Sequence, residues 1–141
     1  MSHTEQLHER LSTAGLRPTR QRLALAQLLF AAGDRHVSAE QLFAEARAKK
    51  LPVSLATVYN TLNQFTAAGL LRAVALEGER ATYDTNTSNH CHYFDAATGK
   101  LEDFDASNLK VVGLGPLPKG KEIDRIDVIV RLKDKDQFRL D

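Results

Sequence analysis

The hydrophobic period of this chain changes once, and no other feature restricts its possible folds as much. Up to Gly69 the apolar residues recur at helical spacing, and from His90 they alternate. A chain that passes from a 3.6-residue to a 2-residue period builds helices first and strands afterwards, which predicts an α+β architecture. Thr85-Asn86-Thr87-Ser88-Asn89 is wholly polar. The predicted boundary therefore lies there, with one domain over 1–85, a hinge over 86–89 and a second domain over 90–141.

Four helices are legible in the first part. Leu7, Leu11 and Ala14 share a face, and Gly15 stops the helix. Pro18-Thr19 restarts the chain with Thr19 as N-cap; Leu25, Leu28, Leu29 and Ala32 line the second helix, which Gly33 closes. Ser38 and Gln41 have capping-box spacing and open a third helix that buries Leu42, Phe43 and Ala46. Lys49-Lys50-Leu51-Pro52 ends it. A fourth helix begins at Ser54, with Leu55, Val58, Leu62 and Phe65 in one stripe. Its opposite face carries Ala56, Asn60, Asn63 and Ala67, flanked by Tyr59 and Gln64. Leu71–Leu76 and Arg80–Thr85 then read as strands around Glu77-Gly78-Glu79. Helices followed by a hairpin is the order of a winged helix-turn-helix.

That order gives the fourth helix a role. In a helix-turn-helix the second helix enters the major groove, where amides and hydroxyls reach base edges. Thr57, Tyr59, Asn60, Asn63 and Gln64 have this chemistry. The net charge is only +1, so there is no global basic field, but Arg10, Arg17, Arg20 and Arg22 cluster locally. Arg17, Thr19 and Arg22 are the candidate backbone contacts, and an Arg there could also enter the minor groove.

Beyond residue 90 the strands are expected over 90–95, 100–104 and 123–132. In the last of these Ile126, Val128, Val130 and Leu132 form a half-buried row. Residues 113–121 are Gly/Pro/Lys-rich and read as a loop. Three strands make too thin a core to stand alone, which predicts a homodimer.

Chemistry concentrates in His90-Cys91-His92. On a strand the two imidazoles share a face and Cys91 points away. Carboxylates stand at Asp84, Glu102 and Asp103, and His36 precedes the third helix. A His/carboxylate set suits Fe, Mn or Zn. Histidine also ligates haem iron, and a Cys91 thiolate could do so, although a lone cysteine is more simply a small buried hydrophobe. With one cysteine in the chain there is neither a disulfide framework nor a cysteine-only zinc site. No nucleophile–base constellation or phosphate loop is visible, so an enzyme is not expected. No apolar run reaches membrane-span length and the N-terminus is polar, which predicts a cytoplasmic protein with no membrane partner.

Three stretches then carry a resemblance. They are Ala14-Gly15-Leu16-Arg17-Pro18-Thr19-Arg20-Gln21-Arg22, His36-Val37-Ser38-Ala39-Glu40-Gln41-Leu42 and Leu55-Ala56-Thr57-Val58-Tyr59-Asn60-Thr61-Leu62. In this order they resemble the ferric uptake regulator family. The resemblance implies a homodimeric, metal-responsive transcription factor with an N-terminal winged helix and a small C-terminal α/β dimerisation domain. It implies a regulatory metal site at His36, Asp84, His90, His92 and Asp103. Tyr59 would be the family's tyrosine on the reading helix, and Arg17 its basic residue after Ala-Gly-Leu. The positions of the family's Cys-x-x-Cys are Asp95 and Thr98, so no structural zinc held by four cysteines is implied. The family's long C-terminal helix finds no counterpart.

The stretches Asp84–Phe94 and Ile126–Leu132 resemble the iron response regulator branch, which senses iron through haem. That makes His90, Cys91 and His92 haem-binding candidates. The expected function is a metal- or haem-responsive regulator, such as a repressor, of iron and haem genes, acting on double-stranded promoter DNA. Two alternatives stand beside it. One is a peroxide-sensing Fe/Mn-dependent repressor, whose relatives use two acids of the Asp type, as Asp84 and Asp103 are. The other is a metal-binding protein that does not bind DNA.

Overall fold

The computed structural model describes residues 2–75, 80–88 and 91–135. The chain divides into two compact units, Met1–Thr87 and Ser88–Asp141.

The first unit runs α1 (His3–Thr13), α2 (Arg20–Phe30), β1 (His36–Ser38), α3 (Ala39–Ala48), α4 (Leu55–Ala67), β2 (Arg72–Val74) and β3 (Thr82–Asp84). Its helices start where a hydroxyl can take an orphan backbone N–H. Ser2, Thr19, Ser38 and Ser54 each accept from the N–H three residues on, a bond worth about 1 kcal/mol at each cap. Ser2 with Glu5 and Ser38 with Gln41 complete capping boxes. The far ends of α1, α3 and α4 close by the paired bonds of a left-handed terminus. After α3, Lys50 N–H donates to the Arg47 carbonyl and Leu51 N–H to the Ala46 carbonyl. That motif wants glycine at the turning residue. Gly15 and Gly69 serve after α1 and α4, whereas after α3 the place is held by Lys50 at φ 57°.

The apolar stripes meet in one core of Leu7, Leu11, Leu25, Leu29, Val37, Leu42, Val58, Leu62, Phe65 and Tyr83. Each large side chain buried there contributes about 1.5–3 kcal/mol. Ala32 departs from expectation: α2 stops at Phe30, and Ala32 is exposed in the turn before Gly33. Phe43 is only partly buried, packed against the edge of the core.

Strand β1 has no counterpart in the sequence reading. Three residues with one apolar side chain are too few to show a period, yet Val37 is fully buried. The strand pairs antiparallel with β3, in a sheet of order β1-β3-β2. Register sets His36 opposite Asp84, and Arg72 opposite Asp84 on the other side. Alternation turns Val37 and Tyr83 to the core and leaves His36 and Asp84 together on the other face. The hairpin strands are shorter than expected, and Leu76 and Glu77-Gly78-Glu79 lie outside the described residues.

The second unit contains β4 (Cys91–Asp95), β5 (Lys100–Phe104) and β6 (Ile129–Leu132), in the order β5-β4-β6. Strands β4 and β5 are antiparallel, and β4 and β6 are parallel. No helix occurs among the described residues of this unit. The strand expected over 123–132 is confined to its last four residues. Its predicted buried row is corrected too: Ile126, Val130 and Leu132 are 46%, 37% and 41% exposed. The reason is the lack of a layer. A strand's apolar row is buried only if something packs on that face, and no second layer forms among the described residues of this unit. The long connection after β5 adds Val111, Val112, Leu114 and Leu117 to the exposed apolar surface. Among the described residues no helix is long and apolar enough to cross a membrane.

Candidate metal centre and nucleic-acid interface

Two histidine–carboxylate pairs are built by strand register, one in each unit. In the first, β1–β3 pairing sets His36 Nε2 3.0 Å from Asp84 Oδ2. Asp84 is fully buried, and its Oδ1 accepts from the Asn86 N–H at 2.9 Å. The flanking residues lock this pair. Arg35 N–H donates to Thr85 Oγ1 at 2.8 Å, and Thr85 N–H donates back to the Arg35 carbonyl at 3.0 Å. The Arg35 guanidinium forks onto Glu45 at 2.8 and 2.6 Å and donates to the Leu28 carbonyl at 3.2 Å. Thus one residue ties the start of β1 to α2, α3 and the end of β3. The hydrogen bond to Glu45 raises the Arg35 pKa, and the bond from Arg35 holds the Glu45 carboxyl below its ordinary value.

In the second unit, β4–β5 pairing sets His92 Nε2 3.1 Å from Asp103 Oδ1. The sequence left Glu102 and Asp103 as alternatives on this strand. Glu102 falls opposite Tyr93, on the other face, and pairs with Lys100 at 2.8 Å. Cys91 shares that other face, opposite Phe104, and is buried. His90 lies outside the described residues.

Imidazole Nε2 and carboxylate oxygen are the atoms that ligate borderline divalent metals, so each pair offers two fitting donors. A cation at either pair would take an imidazole nitrogen and a carboxylate oxygen that already face each other. Haem fits less well. Cys91 and His92 are only 5% and 4% exposed, which leaves no open flank for a porphyrin.

The outer face of α4 is as the periodicity implied, with Ala56, Asn60, Asn63, Gln64 and Ala67 exposed. Most of its polar groups are engaged within the unit. Thr57 Oγ1 lies 3.0 Å from Ser54 Oγ. Asn63 Oδ1 accepts from the Tyr83 hydroxyl at 3.0 Å, and Gln64 Oε1 accepts from Arg22 Nη2 at 3.1 Å. The Tyr59 hydroxyl donates to Glu40 Oε1 at 2.6 Å. This bond lowers the Glu40 pKa and raises that of Tyr59. Thr19 spends its hydroxyl on the α2 cap, and Arg22 also donates to the Arg17 carbonyl at 2.9 Å. The Arg17 and Arg20 side chains are exposed. Sequence reasoning missed Arg35, Glu40, Thr85 and the buried Arg72. Glu40 sits inside a capping motif and was read only as part of a helix start; the others carry no local signal.

Residues 13–117 match the ferric uptake regulator family. The chain belongs to that family. It is 33% identical over 103 residues to the ferric uptake regulation protein of Pseudomonas fluorescens, covering 72% of this chain and 84% of the relative. It is equally similar, at 33% over 103 residues, to the peroxide-responsive repressor PerR of Staphylococcus epidermidis, covering 72% and 67%. Its fold superposes on the manganese-containing ferric uptake regulator of Pseudomonas aeruginosa with a TM-score of 0.74 at 27% identity, over 92% of this chain and 98% of that one. As a ferric uptake regulator family member the chain is a metal-responsive transcriptional regulator and not an enzyme. The expected architecture, a winged-helix N-terminal unit before a small second unit, is the one found.

Proposed function

We propose that this family member acts as a cytoplasmic homodimer on double-stranded promoter DNA, switched by one divalent metal held by His36, Asp84, His90, His92 and Asp103. The observation that carries the reading is the pair of histidine–carboxylate contacts, at 3.0 Å on β1–β3 and 3.1 Å on β4–β5. Iron, manganese and zinc all suit such donors, and manganese accompanies the Pseudomonas aeruginosa regulator. In this reading residues 1–85 bind DNA through Arg17, Thr19, Arg22, Thr57, Tyr59, Asn60 and Asn63. Residues 86–89 are the hinge, and 90–141 dimerise and sense. A metal that took ligands on both sides of the hinge would restrain it. In a dimer that restraint sets the spacing of two reading helices, which must match half-sites about 34 Å apart. Exposed Val130 and Leu132 supply apolar surface for a second copy to cover.

The test is a gel shift of the metal-free protein against a promoter pool, titrated with Mn(II), Fe(II) or Zn(II). Wild type should change its DNA affinity at least tenfold with metal, and His92→Ala and Asp103→Ala should not respond. Equal affinity with and without every metal would overturn the switch. Absence of any shifted DNA would favour a metal-binding protein of another kind.

A second reading has its own support. Both carboxylates are Asp, and PerR is among the relatives. If the chain senses peroxide, treating its iron form with peroxide adds one oxygen to His36, His90 or His92. An unmodified chain by mass spectrometry would sink that reading. The haem-gated version rests on the iron response regulator resemblance and on His90-Cys91-His92, against the burial of Cys91 and His92. A Soret band on titration with haem, lost in His92→Ala, would support it; its absence would remove haem and leave the metal.

A further inference from the structure

Three polar side chains of α4 are tied to three different elements. Asn63 accepts from Tyr83 of β3, Gln64 accepts from Arg22 of α2, and Tyr59 donates to Glu40 in the first turn of α3. The third tie differs because its partner is an anion. A carboxylate beside a surface that is to meet phosphates weakens binding by repulsion. It also carries a cost in the fold, since Glu40 Oε2 is buried and makes no hydrogen bond among the described residues. Its ion pair offsets little of this. Arg80 approaches Oε1 only to 3.8 Å, with its side chain 75% exposed. What Glu40 does make is one short bond, 2.6 Å long, to the Tyr59 hydroxyl. A charge-assisted bond of this kind is about twice as strong as a neutral one.

We propose that Glu40 is a positioning residue for DNA binding, which acts by holding the half-buried Tyr59 ring in one orientation on α4 before DNA arrives. With its hydroxyl anchored the ring cannot swing about its two side-chain torsions, so less freedom is lost on binding. The anchor is itself fixed, because the capping box of Ser38 and Gln41 sets the first turn of α3 around Glu40. Glu40 thus acts through Tyr59 and not by touching DNA. The inference rests on the proposed DNA-binding function and deepens it by naming what holds Tyr59 in place.

The experiment measures the affinity of the full-length protein, with manganese and without it, for a duplex that wild type recovers from random-sequence DNA. Glu40→Ala and Tyr59→Phe should each weaken binding by roughly five- to tenfold, and adding Glu40→Ala to Tyr59→Phe should change it by less than about twofold. Glu40→Gln should stay within about threefold of wild type, because its amide oxygen still accepts from the hydroxyl. A second measurement needs no DNA. The hydrogen bond to Glu40 raises the Tyr59 pKa, burial and the charges of Glu40 and Tyr83 add to the effect, and Arg80 opposes it. In an alkaline titration of tyrosinate absorbance, the step that Tyr59→Phe removes should therefore move to lower pH in Glu40→Gln. Equal losses from Glu40→Ala in the wild-type and Tyr59→Phe backgrounds would overturn this inference and leave the DNA-binding function standing. So would tighter binding by Glu40→Ala, a Glu40→Gln protein as weak as Glu40→Ala, or an unmoved tyrosinate step. A wild type that recovers no duplex in either state would overturn the DNA-binding function, and this inference with it.

Discussion

Cutting the Arg35–Glu45 fork should cost stability at neutral pH and much less in acid. The two bonds, 2.8 and 2.6 Å long, join side chains that are 29% and 37% exposed. A shielded charged hydrogen bond contributes about 1.5–3 kcal/mol, and an open surface pair about 0.2–1 kcal/mol. Glu45 is more than a third exposed, so solvent screening brings the coupling down to about 1 kcal/mol. Arg35→Ala also strips the Leu28 carbonyl of its donor, which adds about 0.5–1 kcal/mol. The single variant should therefore lose about 2 kcal/mol, and Glu45→Gln about 1 kcal/mol. The Glu45 carboxyl is held below its ordinary value of 4.5 by Arg35. A depressed acid stabilises the fold above its unfolded pKa and ceases to do so as pH falls through the folded one. Coupling between the two residues should thus be full at neutral pH and fade in acid, as the pH falls from 4.5 through the lowered value of the folded state. Urea unfolding of wild type, both single variants and the double variant, at pH 7 and in acid, measures it. The same Arg35→Ala protein should bind manganese more weakly, because the clamp fixes the strand that carries His36. A coupling within about 0.3 kcal/mol of zero at pH 7, or one that survives acid unchanged, would refute the reasoning.

Other outcomes follow from single features. Leu62→Ala removes a fully buried side chain and should cost about 2–5 kcal/mol by the same unfolding assay. Lys50→Gly should raise stability by about 0.5–1 kcal/mol, because Lys50 holds a left-handed φ of 57° at a helix end that favours glycine. Leu132→Lys on the exposed face of β6 should weaken self-association at least tenfold in sedimentation equilibrium, with the monomer still folded. Arg17→Ala should lower affinity for all DNA sequences alike and reduce the slope of log affinity against log salt by about one.

The elements of the first unit were legible because their signals are local. Ser38 and Gln41 mark a helix start within one turn, and Leu55, Val58, Leu62 and Phe65 declare a buried stripe by spacing alone. The second unit was legible in outline, through the alternation in His92-Tyr93-Phe94 and the turn at Gly99. Its last strand was overread because Ile126 and Val130 carry an apolar pattern that no layer among the described residues of that unit covers.

By itself, then, the sequence determined the helix starts, the exposed polar face of α4, the two strands that follow it, the polar break between the units and the residue types that suit a divalent metal. Tertiary structure alone decided which of those residues meet. His36 faces Asp84 because β1, too short to show a period, pairs with β3 in one register. Asp103 stands beside His92 while Glu102 turns away, since a strand alternates its faces and pairing fixes the phase. Asn63 and Gln64 are engaged by Tyr83 and Arg22, which come from distant parts of the chain. Periodicity and capping act over a few residues and can be read in order. Register and hydrogen-bond partnership join residues far apart, and only the packed core brings those to within about 3 Å of one another.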